Sequence, residues 1–131
     1  MKNQFRKHYT RDQARTLLPQ VRQWLGQMAR IRILLQEHDE QLLALNSSGM
    51  DAGGAQVNSW VRNVADFREL AHQFYLHEIQ IKDLERGLVD FPSWIQGREV
   101  FLCWQLGEDD IEFYHDLEAG FGGRKRIEGQ E

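Results

Sequence analysis

The stretch YLHEIQIKDLERGLVDFP, residues 75–92, decides how this chain is built. Read as a helix, it continues a stripe in which Phe74, Glu78, Ile81, Glu85 and Leu88 recur at alternating four- and three-residue steps, and Pro92 supplies a stop. Upstream, Val57, Trp60, Val64, Phe67 and Ala71 follow the same alternation. The spacing therefore predicts a second helix over about 57–88. Its price is chemical: two carboxylates, Glu78 and Glu85, fall on a stripe that packing reserves for apolar side chains. A buried carboxylate without a partner is driven toward its neutral form, so partners are expected.

Before this helix the chain carries another long periodic run. Thr10 followed by Gln13 is a capping-box pattern. Leu17, Val21, Trp24, Met28, Ile31, Leu35, His38, Leu42 and Leu45 then form a heptad seam, with Pro19 as the expected kink. Residues 46–56, NSSGMDAGGAQ, have no period and read as a loop. Two helices joined this way pack antiparallel.

After Pro92 the period changes to two. Val100, Leu102, Trp104 and Leu106 alternate, as do Ile111, Phe113, His115 and Leu117, with GEDD between them. This predicts a β-hairpin. Pairing Leu106 with Ile111 places Leu102 opposite His115 and makes one face apolar except for the imidazole. In that register Cys103 and His115 fall on opposite faces, which disfavours a metal site using both. The expected fold is mainly α with a small β-hairpin (α+β): a long antiparallel helical hairpin, then a two-stranded antiparallel hairpin. All of it forms a single domain over 1–131. Helix 1 is expected at about 11–45, the loop at 46–56, helix 2 at about 57–88, the hairpin at about 99–117 and a flexible tail at 120–131.

The candidate polar cluster is Glu78, Glu85 and His115, with Asp83 and Asp90 near them in sequence. Structural hydrogen bonding among them is the leading reading. Glu78, Glu85 and His115 as ligands of zinc or iron is the alternative. The di-iron bundle pattern is not met, because it needs two Glu-x-x-His pairs and only Glu69 with His72 is present, off the seam. Glu78 and Glu85 would also stand about 10 Å apart along a helix. Glu85 with His115 as an acid–base pair lacks a recognisable nucleophile or oxyanion site. In the tail AGFGGRKRI, Arg124 is a candidate for anion binding.

Composition bounds the function classes. The 131 residues carry a net charge of −4 and one cysteine, so no internal disulfide forms. No run approaches the ~20 apolar residues of a membrane span, and the start of the chain lacks the apolar core of a secretion signal. A cytoplasmic location is expected. Residues 1–32 hold eight Lys/Arg against one acid. That is read as neutralising the acidic remainder, with nucleic acid an unlikely partner.

The segments KDLERGLVDFP, GREVFLCWQLGE and FYHDLEAGFGGR, together with YTRDQARTLLPQV, resemble a bacterial family, domain of unknown function 2203. That family is similar along most of the chain and has no assigned activity, so the resemblance implies no catalytic residues. Both helices keep further apolar positions, such as Leu18, Leu25 and Leu34 on the first and Tyr75, Leu76 and Ile79 on the second. The expected function is a non-enzymatic interaction or self-association module, a homodimer or a binder of another protein, with no cofactor.

Overall fold

The computed structural model describes residues 3–47 and 54–129. In chain order these form α1 (Arg11–Ser47), α2 (Gly54–Leu76), β1 (Gln80–Asp83), β2 (Leu88–Ile95), β3 (Arg98–Gln105), β4 (Phe113–Asp116), a 3-10 turn (Phe121–Gly123) and β5 (Lys125–Arg126). The five strands make one antiparallel meander in the order β1-β2-β3-β4-β5. The expectation of a two-stranded hairpin is thus overturned: two helices are followed by a five-stranded sheet. The chain divides into two compact units. The helical unit is Trp24–Gln73, and the sheet unit holds residues up to Gln23 and from Phe74 onward. Of the expected 46–56 loop, residues 48–53 lie outside the described residues.

The stretch 75–92 is not helical beyond Leu76. Ile79 N–H donates to Phe74 C=O and Glu78 N–H to Tyr75 C=O, both at 3.0 Å, the paired bonds of a Schellman stop. Phe74 and Ile79, each 2% exposed, cap it from inside. The residue that must turn left-handed is Glu78, at φ 56°, where glycine is usual and a side chain costs about 1 kcal/mol. The carboxylate offsets that strain by accepting the backbone N–H groups of Arg6 and Lys7 at 2.9 and 2.8 Å. No glycine, asparagine or proline announces the stop, so the helical period runs on in the sequence through residues that are in fact strand.

β1 and β2 are joined by a tight turn. Asp83 Oδ1 accepts the Arg86 N–H at 3.1 Å, and Gly87, at φ 64°, closes the turn where a Cβ would stand 2.6 Å from Leu106 Cβ. β2 and β3 are joined by Gln96 and Gly97, both at positive φ, between the paired Ile95 and Arg98. That is a two-residue hairpin of the primed type. Pro92 lies in β2 rather than ending a helix. β1 pairs only with Leu88, Val89 and Asp90, so the missing N–H at Pro92 removes no bond from that ladder.

β3 and β4 pair as Phe101 with His115 and Leu102 with Tyr114. This is one residue away from the expected register. The expected partner of Leu106, Ile111, is fully buried but sits in the loop before β4. There Arg11 Nε donates to its carbonyl at 2.6 Å, and Arg15 grips Asp110 with two bonds of 2.7 Å. The tail expected to be flexible from 120 contributes the 3-10 turn and β5, which pairs with β4.

Alternate residues give the sheet two faces. Val89, Phe91, Val100, Leu102 and Trp104 point one way and are buried, with Ala14, Leu18 and Val21 of α1 completing the core. Tyr9 meets Phe91 edge-on at 5.7 Å, and the Arg22 guanidinium lies 5.4 Å from the Trp104 ring centre. The other face carries the site.

Candidate functional site

The one-residue register change puts Cys103 and His115 on the same face. Cys103 is the cross-strand partner of Asp90 on β2 and of Phe113 on β4, and His115 is two residues from Phe113. Three neighbouring strands therefore deliver one carboxylate, one thiol and one imidazole to one spot. Each of the three residues is 1% exposed, and their donor atoms all lie within 4.8 Å of one another. The sequence expectation that Cys103 and His115 are kept apart is corrected by this pairing.

His115 is held at both nitrogens. Nδ1 lies 2.7 Å from the Asp116 carbonyl and Nε2 2.9 Å from Asp90 Oδ2. A carbonyl only accepts, so Nδ1 carries a proton. The Nε2–Oδ2 contact then holds one further proton, whichever partner formally owns it. Burial pulls the imidazole pKa down, but the Asp90 hydrogen bond and the Asp116 carbonyl outweigh it, and the value is raised above 6.5. The Cys103 thiol is pushed up to about 12, first by burial and then by the Asp90 charge. Asp90 Oδ1 is buried with no hydrogen-bond partner among the described residues.

The groups reaching over this face are side chains. The Lys82 ammonium is 4.8 Å from the Phe101 ring centre, and the Arg124 guanidinium is 4.0 Å from that of Phe113. Arg124 Nη2 also donates to both Glu108 carboxylate oxygens at 2.8 and 2.9 Å. Glu108 thus occupies the Nη2 end of Arg124, while Nε is buried with no hydrogen-bond partner among the described residues.

The remaining sequence candidates lie elsewhere in the structure. Glu78 closes α2 and holds residues 6 and 7. Asp83 caps the β1–β2 turn, and Glu85 is exposed in that turn. The expected ligand set of Glu78, Glu85 and His115 is not assembled. Among the described residues the group of His, Cys and carboxylate side chains whose ligand atoms lie close together is Asp90, Cys103 and His115. Asp90 and His115 stood among the candidates, and Cys103 was set aside with the wrong register.

Glu99 forms a second carboxylate clamp. It accepts the N–H groups of Gln4 and Phe5 at 2.8 and 3.1 Å and contacts His8 Nε2 at 2.7 Å. Burial raises its pKa, but these donors, Gln4 first, outweigh it and hold the carboxyl below its usual range. The sequence offered no signal for this contact, since its partners are more than ninety positions apart.

With that geometry in place, comparison with known families is informative. The family model of domain of unknown function 2203, an uncharacterized conserved protein, matches residues 7–127. The chain belongs to that family. No curated protein and no solved structure matches it. In this member of domain of unknown function 2203 the matched region includes the Asp90–Cys103–His115 cluster, the Glu78 stop and the Arg124–Glu108 pair. No helix among its described residues is long and apolar enough to cross a membrane.

Proposed function

We propose that the protein is a non-enzymatic interaction module that works as a homodimer in a reducing, cytoplasmic setting, with the helical unit as the contact. One observation carries this reading. On α2, Val57, Trp60 and Val61 are 43, 38 and 52% exposed, and their spacing sets them on a single helix face. On α1, Ile33 and Leu34 are exposed as well, and among the described side chains of this unit only Leu25 and Met28 are buried. A helical pair leaves an outward apolar stripe that a second copy of the same pair covers in a closed, two-fold arrangement.

The chemistry of the sheet unit also favours a non-catalytic role. The thiol of Cys103 is held protonated by burial and by Asp90, and His115 turns Nε2 to Asp90. That leaves no activated nucleophile in the cluster. A nucleic-acid partner is disfavoured because Arg11 and Arg15 are committed to Ile111 and Asp110. A single buried thiol suits a reducing compartment.

Light scattering and sedimentation equilibrium test the proposal. Wild-type protein is expected at twice the chain mass. A Val57→Glu/Trp60→Glu variant is expected to dissociate at least about 100-fold more readily with its circular dichroism intact. A wild-type protein that stays monomeric at high concentration overturns the reading, and a different protein occupying the stripe becomes the alternative.

A further inference from the structure

We propose that Asp90, Cys103 and His115 form a binding site for one divalent transition-metal ion, with zinc the best fit. This inference is independent of the dimer reading. The donor set is one oxygen, one sulfur and one nitrogen. That mixture suits zinc and excludes magnesium and calcium, which take oxygen ligands.

The geometry is near what such an ion needs. Zinc bonds of about 2.0–2.3 Å set tetrahedral ligands roughly 3.3–3.8 Å apart. The three donor atoms already lie within 4.8 Å of one another. The 2.9 Å Asp90–His115 contact must open by a few tenths of an ångström and the sulfur must move in by at most about 1 Å. Side-chain rotation on a fixed sheet supplies both. Three protein ligands leave a fourth position for water.

Two further observations point to a ligand rather than to a hydrogen-bonded pin. Asp90 Oδ1 is buried with no hydrogen-bond partner among the described residues, and an orphaned carboxylate oxygen is costly. The Cys103 thiol is hydrogen-bonded to the Asp90 carboxylate, so carboxylate, imidazole and sulfur already form one contact set around Asp90. Second, the Asp116 carbonyl fixes Nδ1 at 2.7 Å and so presents Nε2 toward the cluster, as outer hydrogen bonds do for metal-bound histidines.

The charges balance. Without an ion, the Asp90–His115 contact holds one proton and Cys103 another, so the cluster is neutral. When a divalent ion enters, those two protons leave. A carboxylate, a thiolate and a neutral imidazole then meet a 2+ charge, and the cluster is neutral again. The buried site exchanges contents without gaining net charge, which a low-dielectric interior would resist. Arg124 is already paired with Glu108, whereas the Lys82 charge over the neighbouring Phe101 acts on His115 and favours its neutral form, the form that binds a metal.

The test uses the full chain purified without a histidine tag, stripped with a chelator and titrated with Co2+. The expected result is one ion per chain with a thiolate-to-cobalt charge-transfer absorption, bleached by one equivalent of Zn2+. Cys103→Ala is expected to lose the band and bind at least about 100-fold more weakly, since even outer-shell losses reach 10–100-fold. Glu85→Gln is expected to leave binding unchanged. A wild-type titration with no charge-transfer band overturns the proposal without recourse to any variant. A folded Cys103→Ala protein that binds as tightly as wild type overturns it too.

Discussion

The helical and sheet units meet the same problem, apolar surface on a small chain, and solve it differently. In the sheet unit the meander buries Phe91, Leu102 and Trp104 to complete exclusion, and Glu78, Glu99 and the Asp90–His115 contact tie down several of its polar groups. In the helical unit the described side chains include two buried apolar residues, while Val57, Trp60 and Val61 remain in water. Layers explain the contrast. A sheet with a helix segment on one face and long side chains on the other closes on itself, whereas a helical pair has an outer stripe that none of its described residues covers. The first unit keeps its large apolar side chains from water, and the second leaves several of its own exposed.

The sharpest way to break this contrast is to open the buried pair. Asp90→Ala leaves His115 uncompensated in the interior and is expected to destabilise by about 3–5 kcal/mol, read from denaturant unfolding of the metal-free protein. A loss under 1 kcal/mol would mean that the pair is solvated and the sheet unit is looser than described. Next in size is Gly87→Ala. Its Cβ would stand 2.6 Å from Leu106 Cβ at φ 64°, so about 1–3 kcal/mol is expected. An unchanged midpoint would show that the β1–β2 turn is free to shift.

Glu78 separates strain from bonding. Glu78→Ala loses the acceptor for two N–H groups and keeps the left-handed strain, whereas Glu78→Gly loses the acceptor and relieves the strain. The glycine variant is expected to be the more stable of the two by about 1 kcal/mol. Equal stabilities would remove the helix-stop account.

Acid gives a smaller, graded effect. Arg15 holds the Asp110 carboxyl at about 2, below its ordinary 3.8. Its contribution is therefore fully present above pH 3.8 and is lost as pH falls through about 2. An Arg15→Gln variant should lose less stability than wild type over that window in a thermal scan followed by circular dichroism. Smallest of all, Val61→Ala should change monomer stability by under about 0.5 kcal/mol, since its side chain faces water. A larger loss at a concentration where the chain is monomeric would show that the helical unit closes on itself after all.

How much of this could be read from the residues alone depends on which signals are local. The α1 helix is legible because its period persists over many turns, but its buried side is shifted: Val21 and Met28 of the expected seam are buried, while Leu18 and Leu25, read as lying off it, replace Leu17 and Trp24. The end of α2 is illegible because its left-handed residue is Glu78, whose compensation comes from Arg6 and Lys7 far upstream. The β2–β3 turn had a cue in Gln96-Gly97, weaker than the Asn-Gly or Asp-Gly that marks most such turns. Pro92 reads as a helix stop because a strand that outruns its neighbour leaves no mark in composition. The site was lost to a single step of register. Matching Leu106 with Ile111 maximised apolar pairing, but Ile111 is buried by the loop that Arg11 and Arg15 pin down. His115 and Asp90 were legible as candidates, whereas Cys103 needed the true pairing.

The clamps on residues 4–9 carry a consequence for synthesis. Gln4 and His8 bond to Glu99, while Arg6 and Lys7 bond to Glu78, across gaps of 71 to 95 positions. At about 5–20 residues per second on a ribosome, these early residues wait several seconds for partners that have not yet been made. Each strand of the meander, by contrast, pairs with the one emerging just before it. The opening segment is thus among the earliest parts translated yet is fastened only late, and a nascent chain stalled before Glu78 would carry it without either clamp.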